Sequence, residues 1–289
     1  MRIDLHTHSW VSDGTQAPAE LVASAAAADL DIVALTDHDQ SAGWDEARAA
    51  AAAHGIGWLG GIEVTCRVPF TGISVHMLAY GVSRGNEELR AALAGLRDSR
   101  DGRARAMVDR LAEDFPIDWA SVQEQTQAGS TIGRPHIADA LVAAGVVADR
   151  TEAFAHILSP RGPYYVGQPA LDPVQAVRLI HAAGGAAVMA HPVAGARGRV
   201  IGRDEMLAVV DAGLDGVEVY HRDNSAEGRR ELLALASERG LIVTGSSDYH
   251  GAGKPNLLGE NTTEPRALLR LLERTEAPEI EGFDASELR

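Results

Sequence analysis

The chain has one cysteine, Cys66, and one lysine, Lys254, in 289 residues. A single cysteine excludes an intrachain disulfide and removes any call for an oxidising compartment. Cys66 reads as a small buried apolar residue. A single lysine, set in Gly251-Ala252-Gly253-Lys254, disfavours any metal centre built on a carbamylated strand lysine. No stretch approaches the roughly 18 uninterrupted apolar residues of a membrane span. Met1-Arg2-Ile3-Asp4 runs straight into a polar motif, so the expectation is a cytoplasmic protein with no membrane partner. Positive charge is scarce too: 41 acidic against 26 basic residues give a formal charge of -15, which repels long duplex nucleic acid. Any phosphate ligand must then be held locally, by metals or a few arginines. Aromatics make up only 4% of a chain that is 45% hydrophobic and long enough for one large α/β domain or a domain carrying an insertion.

What the chain does have is a dense opening motif, Asp4-Leu5-His6-Thr7-His8, followed by Ser12-Asp13-Gly14. Side chains alternate along a strand, so His6 and His8 point the same way and can share a metal. The arrangement then recurs. Asp31 to Leu35 reads as a buried parallel strand running into Thr36-Asp37-His38-Asp39, Ile56 to Val64 as a strand ending at Glu63, and Ile73 to Tyr80 as a strand with His76 inside it. Later strands run into His191-Pro192, Glu218-Val219-Tyr220-His221 and Ser247-Asp248-Tyr249-His250. Helices starting near Pro18 and spanning Trp44 to His54, Glu205 to Ala212, Ala226 to Arg239 and Leu268 to Glu273 separate most of them. A lone His inside an apolar strand is more often a satisfied core residue. About seven strands with polar groups near their C-terminal ends, however, describe the active face of a β/α barrel.

Between Asn86 and about Ala170 helical periodicity takes over, through Leu89, Leu93 and Leu96, then Met107, Val108 and Leu111, then Ile137, Leu141 and Val142. This predicts an inserted helical subdomain, 86–170, between barrel segments 1–85 and 171–289. Arg134 and His136 stand at a helix start, where free N–H groups and the helix dipole favour anions. The plainer alternative is that Arg134 is a surface charge. Ser159 to Val166 is a rigid Pro/Gly loop carrying Arg161.

Together these motifs resemble the PHP (polymerase and histidinol phosphatase) family of metal-dependent phosphoesterases, over nearly the whole chain. The resemblance implies an α/β fold, a distorted (βα)7 barrel with the helical insertion, holding two to three divalent ions. Manganese is the first expectation, with iron, zinc or magnesium as alternatives. By position, His6, His8, Glu63 and Asp248 would hold one ion, and Glu63 would bridge to a second held by His76 and His191. Asp13, where some members have histidine, would hold the third with His38 and His250. Glu63 and Asp248 would be the carboxylates closest to the chemistry, and Asp37 would orient a ligand. A metal-bound water with its pKa lowered to about 7 would supply the hydroxide.

The Ser-Asp-Gly loop and the insertion look most like the branch that removes the 3'-phosphate of nucleoside 3',5'-bisphosphates or trims RNA from its 5' end. The implied partners are a small phosphorylated nucleotide or a short RNA 5' end. There Arg134 and His136 would contact substrate phosphate from a covering insertion, assisted by Arg161. Where a histidine is implied near position 224 this chain has Asn224, which leaves His221 and Arg222 as candidates. The alternatives are a phosphomonoesterase for another small substrate such as histidinol phosphate, and a catalytically silent metal-binding module.

Overall fold

Short apolar runs rich in Ile, Val and Ala, each closed by polar or glycine punctuation, become the strands of a computed structural model that describes residues 1–127, 129–276 and 280–288. The strands are β1 (Ile3–Asp4), β2 (Ile32–Leu35), β3 (Gly57–Arg67), β4 (Ser74–Tyr80), β5 (Ala186–Ala190), β6 (Gly216–Tyr220) and β7 (Ile242–Gly245). They form one seven-stranded sheet in sequential order. It curls into a nearly closed barrel, because Thr7 beyond β1 bridges Tyr249 beyond β7 and the His8 amide donates to the Tyr249 carbonyl at 2.8 Å.

Two strands depart from the sequence expectation. β3 does not end at Glu63 but runs on to Arg67, and β4 returns antiparallel beside it without an intervening helix. β4 is also antiparallel to β5, whereas the other pairs are parallel. The reversal puts the start of β4 at the rim where its neighbours end, so His76 reaches that rim from the third residue of its strand. A residue count from the strand's C-terminal end would have placed it at the wrong face.

Helices α1 (Pro18–Ala27), α2 (Trp44–His54), α7 (Pro173–Ala182), α8 (Arg203–Asp211), α9 (Ala226–Arg239) and α10 (Pro265–Leu272) belong to the barrel. Proline opens α1, α7 and α10, where its missing N–H costs nothing, and left-handed Gly55 and Gly240 close α2 and α9. Alternation along the strands sorts the apolar residues into two sets. Val33 and Leu35 join the layer beneath the helices. Ile32 and Ala34 join a second set with Ile3, Leu5, Tyr80 and Ile242, and α10 plugs that set with Leu268, Leu271 and Leu272.

Between β4 and β5 stand α3 (Glu87–Leu111), α4 (Trp119–Gln123), α5 (Arg134–Ala143) and α6 (Arg150–Glu152). In α3 the packing changes partway. Leu89, Leu93 and Leu96 sit in the barrel's core, while Met107, Val108 and Leu111 build a separate core with Ile137, Leu141, Ile157 and Leu158. One helix of 25 residues thus carries the insertion rigidly on the barrel wall. No helix among the described residues is long and apolar enough to cross a membrane.

Candidate metal centre

At the rim formed by the ends of β1, β2, β5, β6 and β7 and the start of β4, the side chains converge on Glu63. Its carboxylate is 1% exposed. Oε1 lies 2.7 Å from His76 Nδ1 and 3.2 Å from His191 Nε2. Oε2 lies 3.2 Å from His6 Nε2, 3.0 Å from His8 Nε2 and 3.3 Å from His38 Nδ1. Three sets of ligand atoms lie within 4.8 Å of one another: His8, Asp13, His38 and His250; His6, His8, Glu63 and Asp248; and His38, Glu63 and His76. The nine residues suggested by the sequence therefore gather in one place. The grouping differs from that expectation: His8 joins Asp13, His38 and His250, His38 also joins Glu63 and His76, and His191 falls in none of the three sets although its Nε2 lies 3.2 Å from Glu63 Oε1.

The hydrogen bonds leave nitrogen lone pairs aimed inward. His250 Nδ1 lies 2.8 Å from the Asp248 carbonyl, an acceptor only, so it carries the proton and Nε2 faces Asp13 unprotonated. His6 Nδ1 lies 3.1 Å from Glu218 Oε1, which likewise turns Nε2 toward His8 Nε2 at 3.0 Å. Two ring nitrogens facing each other beside the Glu63 and Asp248 carboxylates favour a cation at this point. His38 Nδ1 and His250 Nε2 are buried with no hydrogen-bonded partner, although carboxylates lie close. This donor set of imidazoles and carboxylates fits divalent ions.

Electrostatics say the same. Burial would raise Asp13, Glu63 and Asp248, but the groups facing them hold all three well below the usual carboxylate range: His250 and His38 beside Asp13, His76 and His38 beside Glu63, and the cations Lys254 and Arg197 beside Asp248. Burial opposes charge on His8, yet hydrogen bonds to Asp248 and Glu63 lift it to about 9, and Glu63, Glu218 and Asp248 raise His6 likewise. Burial with Arg197 pushes His191 down to about 3, and burial with Lys254 pushes His250 down to about 4. The carboxylates around His6 and His8 thus favour positive charge at this point.

A surrounding layer holds these ligands. Asp37 accepts from the Ser9 amide at 2.9 Å and from the hydroxyls of Ser9 and Ser12, each at 2.6 Å, and Ser12 Oγ lies 3.4 Å from His8 Nδ1. Glu218 orients His6 and takes the His191 amide at 2.9 Å. A Cβ on Gly14 would collide with the His8 carbonyl, so only glycine lets the Asp13 loop fold back there. Of five non-glycine residues with positive φ among the described residues, three are here: Asp39 at 57°, His191 at 29° and Asp248 at 54°. Such conformations cost about 1–3 kcal/mol each and cluster at functional sites.

Beside the centre lies a second feature that the sequence did not disclose, a pocket of arginines. Arg67 ends β3, Arg100 and Arg103 come from α3, and Arg134 opens α5. Arg100 reaches Thr65 Oγ1 at 2.6 Å and Asp39 Oδ2 at 3.1 Å, next to His38 in the chain. Arg103 donates to the Val166 carbonyl and Gln168, and Arg134 to the Leu158 carbonyl at 3.3 Å while lying over Phe154. Asp39 is the one carboxylate these four guanidinium groups contact among the described residues. Arg67 Nε, Arg100 Nε and Gln168 Nε2 are buried donors without an acceptor. Burial and the charge of Arg134 lower Arg103 to about 10, and arginine contacts bring the Tyr165 hydroxyl down against its burial. A cluster with surplus donors and too few acceptors has the chemistry that suits an anion.

The remaining residues suggested by the sequence scatter. His136 is buried, and its Nδ1 accepts from the Gly133 amide at 3.1 Å. Arg161 is exposed, in the loop whose Leu158 carbonyl takes Arg134. His221 is buried and turned to Asp248, with Nε2 3.6 Å from Oδ2. Arg222 pairs instead with Glu260 and Asn256. Asn224 is spent on the Glu218 and Val219 carbonyls. The site residues to which the sequence reading gave no role are Glu218, Asp39, Arg67, Arg100, Arg103, Arg197 and Lys254. Of these, Asp39, beside Asp37-His38, and Glu218, at a strand end beside His221, carried a local signal.

A β/α barrel whose rim gathers nine imidazole and carboxylate side chains, eight of them in groups able to hold a metal ion, is the frame of a metal-dependent hydrolase. The model of the PHP domain matches residues 4–113. The chain is 36% identical to a 3',5'-nucleoside bisphosphate phosphatase of Chromobacterium violaceum, across 87% of this chain and 88% of that protein. It is 32% identical to a 5'-3' exoribonuclease of Haemophilus influenzae, across 86% and 90%. A solved structure from Bifidobacterium adolescentis, assigned to the metal-dependent phosphoesterases, superposes with a TM-score of 0.91 at 43% identity, covering 94% of this chain and 96% of the other. The chain belongs to the PHP family of metal-dependent phosphoesterases, and it is a hydrolase.

Proposed function

We propose that this phosphoesterase acts on nucleotides bearing a 5'-phosphate, removing the 3'-phosphate of nucleoside 3',5'-bisphosphates or trimming 5'-phosphorylated RNA. The relatives named for those two reactions support the reading. The observation that carries it is the arginine pocket beside the metal centre. One phosphate would face the ligands around Glu63 while the other, non-reacting phosphate meets Arg134, Arg100, Arg103 and Arg67. In this reading His6, His8, Asp13, His38, Glu63, His76, His191, Asp248 and His250 hold divalent ions, manganese first, with Glu63 shared between them. Residues 86–170 form the cover that reads the substrate. Bound ions would supply Lewis acidity and a water acidified to a pKa of about 7. The chain's own work is to orient the imidazoles through Glu218 and Asp37, and to fix the second phosphate.

Steady-state kinetics test this. Arg134→Ala should raise KM for adenosine 3',5'-bisphosphate by roughly tenfold to a hundredfold, the span of one charge-assisted contact of about 1.5–3 kcal/mol. KM for adenosine 3'-monophosphate and for p-nitrophenyl phosphate should move little. A solvated arginine predicts small and equal effects on all three, and that outcome removes Arg134 from the substrate.

A further inference from the structure

Asp248 faces the metal centre with one oxygen only. Its Oδ1 lies 3.4 Å from His6 Nε2 and 3.4 Å from His8 Nε2, whereas Oδ2 turns to Arg197 Nη2 at 2.7 Å and Lys254 Nζ at 3.1 Å. The two cations come from separate loops, Arg197 from the turn after β5 and Lys254, the sole lysine, from the loop after β7. Their side chains are 30% and 31% exposed, whereas the carboxylate they reach is 1% exposed. Neither shares a hydrogen-bond partner with the arginine pocket.

Both have donors to spare. An ammonium has three N–H groups and a guanidinium five. Among the described residues Lys254 uses one, on Asp248, and Arg197 uses Nε on Asp223 at 2.6 Å and Nη2 on Asp248, with His221 Nε2 3.4 Å from the same Nη2, which leaves its Nη1 without a partner. An anionic chain with 41 acidic residues and one lysine brings that lysine and an arginine to the open edge of a centre for phosphate esters. Once Asp248 directs its charge to bound ions, Lys254 has no other carboxylate within reach among the described residues.

We propose that Arg197 and Lys254 clamp the phosphoryl group at the mouth of the metal centre. Their unused N–H groups bind its non-bridging oxygens in the ester and again in the inorganic phosphate released. The clamp rests on phosphoester hydrolysis by this site, not on which nucleotide the arginine pocket selects.

The single lysine makes the test direct. Manganese-loaded protein is acylated with an N-hydroxysuccinimide ester, and the rates at Lys254 and at the Met1 amine are read separately from peptide masses. Inorganic phosphate should slow Lys254 at least tenfold, leave Met1 unchanged, and act the same way in Arg134→Ala. With p-nitrophenyl phosphate, Arg197→Ala and Lys254→Met should each raise the inhibition constant of inorganic phosphate about tenfold or more at unchanged manganese content. Lys254 labelling that ignores phosphate overturns the clamp. So do variants that lose manganese while phosphate inhibition stays put, since the pair would then only prop Asp248. The labelling reads the clamp even if 3',5'-bisphosphates prove not to be substrates, so failure of the nucleotide reading is told apart from failure of the clamp.

Discussion

Replacing Glu63 with glutamine keeps the shape of the side chain and removes its charge, and the geometry says what that should cost. Five imidazoles lie within 2.7 to 3.3 Å of the two carboxylate oxygens. Glu63 belongs to two of the three ligand sets, whereas His8, Asp13, His38 and His250 form the third without it. An amide is a weak ligand with one usable oxygen, so Glu63→Gln should leave only that third set able to hold an ion tightly. Removing the ions flanking the reacting phosphate forfeits several kcal/mol of transition-state stabilisation. At 1.36 kcal/mol per factor of ten, kcat should fall about a thousandfold or more. Stability should report the same loss. Each site saturated at a hundred times its Kd contributes about 2.7 kcal/mol, so manganese should raise the Tm of the variant far less than that of the parent chain. Metal analysis, turnover and thermal unfolding with and without manganese measure all three. A variant with parental stoichiometry and kcat within tenfold refutes the sharing of Glu63.

Two further outcomes follow from the frame around the centre. Gly14→Ala places a methyl against the His8 carbonyl and should cost about 1–3 kcal/mol in urea unfolding, with loss of the ion held by Asp13; parental stability and metal content would show that the loop moves aside freely. His181 is raised by its hydrogen bond to Asp215, 2.8 Å away between α7 and the turn before β6. A raised folded pKa means that its contribution is fully present below the unfolded value of about 6.5 and fades as pH rises through the folded value. Being 38% exposed, the pair contributes at most about 1 kcal/mol. His181→Asn should therefore lower stability at pH 5.5 more than at pH 9, and an equal loss at both would contradict the charge on His181.

The residues that gather around Glu63 were legible because their signal is local. Strand alternation and the polar ends of buried apolar runs marked His6, His8, His38, His191, Asp248 and His250, each readable from its neighbours in the chain. The helix ends were also legible, since Pro173, Gly55 and Gly240 act within a turn of their own positions. Other features arise only when distant segments meet. That β4 runs antiparallel, bringing His76 to the rim, is decided by pairing with β3 and β5. Arg67, Arg100, Arg103 and Arg134 carry no mutual spacing pattern, because a strand end, a helix wall and a helix start present them to one pocket. Arg197 and Lys254 meet on Asp248 from two loops 51 and 6 residues away along the chain. By itself the sequence determined the alternating elements and the ligand types, for those follow from local backbone geometry and residue chemistry. Which candidate ligands stand together, and where surplus positive charge collects, was decided by the tertiary structure alone. Coulombic and hydrogen-bond contacts act over a few ångströms of space, and distance along the chain does not enter them.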